Sequence, residues 1–384
     1  MNKRLIRCFA GAFLVALCIV SCKKDPIPED LGTSLNPANS FIISSPGTYS
    51  FKPVKGQSSQ PVGTVADVEV LWETFGTAEK PAVGSIVASA DYVYTEDAIR
   101  FKTPSTLKDG NALIAAKDAS GNILWSWHIW VCNGWDPDKT AHTYYNDAGV
   151  IMDRNLGATS TTPGDVKSFG LLYQWGRKDP FLGASSTTEY VEAASTLTWP
   201  DPVKSDPKVG NIEYAIAHPT TFICFNSNNW DWYYADEYTT DNTRWGDEKT
   251  IYDPCPAGWR IPLGSTYKHP ESFWYKACRK HFIFLLPDPN YGVNLTGFFG
   301  DADPIWFPFS GFRADDTGKV FSVGKYAAIW TSNNDEDTGD EMAPVMALGL
   351  NISPTMTGDF EVMINMDLYR ALGFGVRCVK DDAK

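Results

Sequence analysis

The chain reads as an α+β protein in two parts, an all-β stretch over residues 40–132 followed by a mixed, loop-rich stretch over residues 141–381. Two observations predict this. The first part alternates apolar and polar residues at period two, in short runs broken by turn formers, with almost no helical period. The second part sets two short helical patterns among brief apolar runs and long Asn-, Asp-, Thr- and Gly-rich stretches, which are too long for simple connections and suit a loop-built recognition surface.

The segment ahead of both parts is a leader. Lys3, Arg4 and Arg7 precede an apolar run from Cys8 to Val20, too short to span a bilayer with certainty. Ser21 then stands before Cys22, and the run Ile19-Val20-Ser21-Cys22 resembles the bacterial lipobox. That resemblance implies removal of residues 1–21 and acylation of Cys22, with several acyl chains anchoring the protein at about 0.8 kcal/mol per buried CH₂. An uncleaved anchor helix is the alternative. Either way the chain leaves the cytoplasm, and a lipid-anchored place on the outer membrane, facing the cell exterior, is expected. Residues 22–39 are polar and carry Pro26, Pro28 and Pro37, so they predict a flexible tether.

Within residues 40–132, Ala66, Val68, Val70 and Trp72 alternate with Asp67, Glu69, Leu71 and Glu73, which predicts a strand with one polar face. Tyr49 and Phe51 alternate likewise, as do Ile99 and Phe101. Two apolar runs, Leu113 to Ala116 and Ile123 to Val131, flank Asp118-Ala119-Ser120-Gly121-Asn122 and predict a hairpin. Several short strands spaced by turns suit an immunoglobulin-like sandwich. His128 falls on the more mixed face of the last run, where a structural role is expected. Asn133 to Thr140 gathers turn formers around Pro137 and predicts a linker.

In the second part, Phe169, Leu172 and Tyr173 recur at i, i+3, i+4 and predict a short helix over 168–175 that stops at Gly176. A second helix is expected over 271–282, with Pro270 at its start.

Composition narrows the function. The net charge is −13, and the leader carries only cations, so the remainder is more acidic still. Such a chain is a poor nucleic-acid binder and is repelled by anionic headgroups, leaving the lipid as its membrane contact. His128, His142, His218, His269 and His281 are scattered, and no Cys/His cluster has zinc spacing. There is no Gly-x-Ser-x-Gly, no His-Glu-x-x-His and no phosphate-cradling glycine loop. An enzyme is therefore disfavoured, and a hydrolase drawing carboxylates from Asp231, Asp236 and Glu237 is the least favoured alternative.

Three ordered patches give the second part a family resemblance. They are Met152-Asp153-Arg154-Asn155-Leu156-Gly157-Ala158, Asp253-Pro254-Cys255-Pro256-Ala257-Gly258-Trp259-Arg260-Ile261-Pro262 and Gly373-Phe374-Gly375-Val376-Arg377-Cys378-Val379. Tyr173-Gln174-Trp175-Gly176-Arg177 and Ile329-Trp330-Thr331-Ser332 accompany them. Together they resemble the Fibrobacter succinogenes major paralogous domain, common in surface lipoproteins of Bacteroidetes and Fibrobacteres. Residues 40–132 resemble the β-sandwich that often precedes it. The resemblance implies a C-type-lectin-like fold, related to formylglycine-generating enzymes and tip adhesins, and no single activity. It also implies a bridge between Cys255 and Cys378 that staples a long irregular loop region; two buried thiols are the alternative. Cys132, Cys224 and Cys278 are expected as small core residues. Asp153, Arg154 and Arg377 are expected to fix loops through charge-assisted hydrogen bonds.

Two ligand sites compete with blander explanations. Trp230, Asp231, Trp232 and Tyr233, with Asp241, Asn242, Arg244 and Trp245 downstream, interleave rings with amides and charges in the manner of a sugar site; the same rings would also fill a core. Asn333, Asp335 and Asp337 follow Trp330 and offer oxygens to Ca²⁺, although the spacing fits no EF-hand and a solvated acidic loop explains the run as well. The expected function is non-catalytic recognition of a glycan or an extracellular protein at the cell envelope. A structural or accessory subunit of the fimbrial-tip type is the alternative.

Overall fold

The computed structural model describes residues 30–144, 147–226, 230–236, 241–264, 270–279, 284–296, 305–334, 346–354 and 360–381. The expected leader, residues 1–21, lies outside the described residues, as do Cys22, Asp335 and Asp337. The molecule is mostly β with few helices. Leu31–Lys384 forms one compact unit.

Eight strands build the first part: β1 Thr33–Ser34, β2 Ser40–Ile43, β3 Thr48–Phe51, β4 Asp67–Thr74, β5 Ser89–Val93, β6 Ala98–Lys102, β7 Gly110–Lys117 and β8 Ile123–Val131. They form two four-stranded sheets, ordered β1-β3-β6-β5 and β2-β8-β7-β4. β1 runs parallel to β3 and β2 parallel to β8, and every other neighbour is antiparallel. Period-two alternation makes this arrangement. Tyr49, Phe51, Ile99, Phe101, Trp125, Trp127, Ile129 and Val131 share one buried cluster. The expected hairpin joins β7 to β8, where Asp118 accepts the N–H groups of Ser120 and Asn122 and Gly121 takes φ +84°. Order begins earlier than the polar run predicts, because Thr33–Ser34 pairs with Tyr49–Ser50 and Ala38 and Asn39 are buried.

The polar face expected on β4 breaks midway. A bulge between Val70 and Trp72 shifts the register, so Val68 stays in the sandwich core while Trp72 enters a second core. Glu73 is buried rather than solvated. Its carboxylate accepts N–H groups from Gly84, Ser85, Ile86 and Val87 at 2.7–3.2 Å, which satisfies the charge and folds that loop back.

In the second part the strands nearest its two ends pair. Gly149–Ile151 lies between Val379–Lys380 and His142–Tyr144, and Trp259–Arg260 completes this four-stranded sheet. A seven-stranded sheet runs Val320–Phe321, Phe312–Arg313, Gly373–Gly375, Ala327–Asn334, Met346–Pro354 and Phe360–Tyr369, with Leu172–Gln174 added to Gly373–Gly375. A three-stranded sheet joins Phe284–Asp288, Gly292–Thr296 and Ile305–Pro308. Cys255 and Cys378 form a disulfide, Cα–Cα 6.0 Å. Cys132 and Cys224 are free and buried.

The helix expected over 168–175 is absent. A 3-10 turn, Val166–Ser168, is followed by the strand Leu172–Gln174. Gly170, at φ +77°, separates them, and a Cβ there would sit 2.7 Å from the Leu156 carbonyl oxygen. Phe169, Leu172 and Tyr173 are all buried, but on an extended chain enclosed on both sides. The helix expected over 271–282 is present as Phe273–Arg279, and residues 280–282 lie outside the described residues.

The two parts share a core. Trp72, Leu113, Trp130, Cys132 and Trp135 of the first part and the linker pack with Leu156, Tyr173, Trp175, Trp330 and Phe374 of the second. The linker joins in: Asp136 caps the short helix Pro137–Thr140, and the Trp135 ring carries the Arg154 guanidinium at 4.1 Å. Hydrogen bonds line the seam. Asn39 Nδ2 donates to the carbonyls of Ile251 and Asp253, Trp130 Nε1 to that of Ala158, and Lys178 Nζ to Ser126 and Asp179. This is why Ser126 and His128, the mixed face of β8, are buried.

His128 sits at that seam. Its Nε2–H donates to Asn111 Oδ1 at 2.8 Å, an oxygen fixed because Asn111 Nδ2 donates to the Gly157 carbonyl. Ser40 Oγ donates to the Pro254 carbonyl oxygen at 2.6 Å and lies 3.0 Å from Nδ1. Burial pushes the imidazole down from 6.5 to about 3. The unfolded ring therefore takes up a proton at a pH where the folded one does not. This stabilisation is complete above the unfolded value and is lost as pH falls toward the folded one. As pH falls from 6.5 to 5, urea unfolding should show stability dropping ever more steeply, toward about 1.4 kcal/mol per pH unit from this ring, and His128→Gln should flatten the slope. A wild-type protein equally stable across that window would refute the assignment.

Candidate functional site

The residues singled out between 230 and 245 divide into a buried frame and a half-exposed rim. Asp231, Trp232, Arg244 and Trp245 belong to the frame and are fully enclosed. Each indole finds a carbonyl: Trp232 Nε1 donates to Trp175 O at 2.7 Å and Trp245 Nε1 to Tyr252 O at 2.9 Å. Arg244 pairs with Asp231 through both carboxylate oxygens, and its Nε donates to the Asp241 carbonyl at 2.8 Å. Its guanidinium lies 4.6 Å from the Trp232 ring, 5.1 Å from Trp175 and 5.3 Å from Tyr233. Arg370 approaches the same carboxylate at 3.7 Å and stacks over Trp175 at 4.3 Å. Gly176, at φ +80°, is needed here, since a Cβ on it would fall 2.7 Å from Arg244 Cβ. The Tyr173–Arg177 patch thus positions the frame.

Trp230, Tyr233, Asp241 and Asn242 form the rim and are half-buried. Trp230 stacks on Phe225 at 4.6 Å and on Tyr369 at 4.5 Å, with interplanar angles of 25° and 18°. Its backbone holds φ +43°, and its carbonyl accepts the Ala371 N–H at 3.2 Å. Asp241 accepts from the N–H and hydroxyl of Thr243, which turns the chain inward toward Arg244. Burial, then the nearby Asp241 carboxylate, raises the Tyr233 phenol above its ordinary value. Phe225 and Tyr369 were not legible as site residues. The one signal was that Tyr369 and Arg370 stand directly ahead of the Gly373–Val379 patch.

The rim forms a shelf of three partly exposed, stacked rings, Phe225, Trp230 and Tyr369, joined in sequence to the enclosed ionic frame that begins at Asp231, and its chemistry is ring contact plus hydrogen bonding. Trp232 and Trp245 cannot stack on a ligand in this conformation, because their faces already lie in the interior. Asp231 is likewise enclosed against arginine, and Glu237, the carboxylate considered with it for hydrolysis, lies outside the described residues.

The remaining candidates lie elsewhere. Arg154 Nε and a terminal guanidinium nitrogen donate to both oxygens of Asp153 at 2.9 and 3.0 Å. Arg377 donates to Asn155 Oδ1 and to the Trp306 carbonyl and covers the Phe307 ring at 3.7 Å. Asn333 belongs to the strand Ala327–Asn334, while its suggested calcium partners Asp335 and Asp337 are outside the described residues. Among the described residues, no group of three or more His, Cys, Asp or Glu side chains is placed to hold a metal ion. No family model, no curated protein and no solved structure matches the chain.

Proposed function

We propose that this protein is a non-catalytic recognition protein of the cell envelope, lipid-anchored through Cys22, whose second part binds a glycan or an extracellular protein. In the first part, the parallel pairing of β2 with the last strand and the order β2-β8-β7-β4 against β1-β3-β6-β5 support an immunoglobulin-like sandwich. In the second part, the antiparallel pairing of Ile151 with Val379 and the bridge from Cys255 to Cys378 support a C-type-lectin-like fold and the motif resemblance to the Fibrobacter succinogenes major paralogous domain.

The observation that carries the functional reading is the Phe225–Trp230–Tyr369 stack, a half-exposed set of near-parallel rings on a frame that does not need a ligand to order it. Such preorganisation limits the entropy lost on binding. Trp230→Ala tests it. Binding on a glycan array, or to an extracellular protein captured by crosslinking on cells, should weaken by about tenfold or more while the melting curve keeps its shape. Trp232→Ala does not serve, since it removes a core residue. Unchanged binding by folded Trp230→Ala protein would overturn the shelf as the ligand site.

A further inference from the structure

Six large hydrophobic side chains are exposed among the described residues, and four of them gather in one place. Tyr190, Val191, Tyr291 and Phe321 are 47%, 51%, 41% and 39% exposed. Tyr190 and Val191 come from one loop, Tyr291 from a turn and Phe321 from the edge strand Val320–Phe321. The Tyr190 and Phe321 rings lie 5.7 Å apart. Gly324 ties the loops together: a Cβ there would stand 2.3 Å from the Thr187 carbonyl oxygen and 3.2 Å from the Tyr291 ring. Hydrogen bonds fix the loops. Phe309 N–H donates to the Tyr291 carbonyl, Gly324 N–H to that of Phe309, and the N–H groups of Lys325 and Tyr326 to that of Ser322.

The backbone at this patch is unusual. Tyr291 holds φ +63° and Ser322 φ +55°, a region disfavoured for any residue with a Cβ. Five non-glycine residues of the described chain adopt positive φ, and the two aromatic ones are Tyr291 and Trp230. Each presents its ring at a partly exposed aromatic cluster. Strained positions of this kind concentrate at functional sites, where the geometry of the side chain matters more than local stability.

We infer that Tyr190, Tyr291 and Phe321 form a second stacking subsite that takes a neutral glycan chain. The rings are flat and two carry hydroxyls, the chemistry that packs on sugar C–H faces while bonding to sugar hydroxyls. Close along the chain to these rings the exposed residues are Thr188, Glu189, Asn290, Lys319 and Lys325, one carboxylate and two ammonium groups among neutral side chains, so charge is sparse and of mixed sign and a charged ligand gains little. A protein partner fits poorly. From the exposed fractions, the patch offers about 300 Å² of ring and aliphatic surface, against roughly 800 Å² per partner in a stable interface. The inference deepens the glycan side of the proposed function and rests on it, with the Trp230 shelf as the other contact.

Affinity electrophoresis of the folded protein in gels containing soluble neutral polysaccharides (a β-glucan, a mannan, a xylan and an arabinan) tests this. Wild-type protein should be retarded by at least one. The triple variant Tyr190→Ser/Tyr291→Asn/Phe321→Ser should lose retardation, with apparent affinity more than tenfold weaker, and should melt no lower, because asparagine tolerates positive φ. Tyr190→Ser alone, in an unstrained loop, should lose part of it. Trp230→Ala should keep residual retardation through the second subsite. A triple variant retarded like wild type, beside a Trp230→Ala variant that is not, would sink this subsite and leave the shelf standing. Wild-type protein retarded by none of the four would remove the glycan reading at both places. A concentration-dependent dimer abolished by the triple variant would reassign the patch to protein contact.

Discussion

Cys255→Ala/Cys378→Ala should lower the unfolding free energy by about 2–5 kcal/mol. The bridge closes a loop of 123 residues, long enough for the chain-entropy effect to be near its upper range, roughly 4–5 kcal/mol. Both sulfurs are buried in the shared core, beside Trp259, Ile261 and Val376, so replacing them with alanine also removes packing. Urea unfolding of wild type with and without reductant, set beside the double variant, measures the effect. Reduced wild type and the variant should fall together. A midpoint unmoved by either change would show that the loop region is held by packing alone.

Asp231→Ala is expected to act on a comparable scale. The carboxylate sits between the guanidinium groups of Arg244 and Arg370, and all three side chains are fully enclosed. Removing it leaves two buried cations facing the faces of Trp175 and Trp232 without the anion they share. Breaking a buried pair in this way costs about 3–5 kcal/mol. Because the peptide bond to Trp230 is next in the chain, ligand binding should weaken even at temperatures where the variant is folded. Asp231→Asn, which keeps the shape and loses the charge, should fall between. Equilibrium unfolding together with a binding titration checks both parts, and an alanine variant as stable as wild type would show that the frame does not depend on its ionic contacts.

What the sequence made legible, and what it hid, follow from one physical difference. Period and turn chemistry are local, so the β7–β8 hairpin and the inward set Trp125, Trp127, Ile129 and Val131 could be read directly. Which faces become covered is not local. β8 is buried on both sides, and the bulge after Val70 sends Trp72 away from Val68 into another core; neither event leaves a mark in an alternating pattern. The same holds at the candidate site. The mixture of rings and polar groups from 230 to 245 is real, but half of it is interior, because Gly176 lets Arg244 approach the chain that carries Trp175. Tyr369 reaches Trp230 from far along the chain, through the Ala371–Trp230 hydrogen bond and the end of a long strand. The helix expected over 168–175 failed for the related reason that a chain enclosed on two sides imitates the spacing of an amphipathic one.

The shared core also has a mechanical consequence. The strand Ser40–Ile43 is bonded through Asn39 and Ser40 to residues 251–254, immediately beside the bridged cysteine at 255. Tension applied across the two parts would pass straight through the seam, with no slack joint between the halves to stretch first. Drawn from its ends in an optical trap, the body should hold to a single yield point and then give way at once, its released length shortened by the crosslinked span.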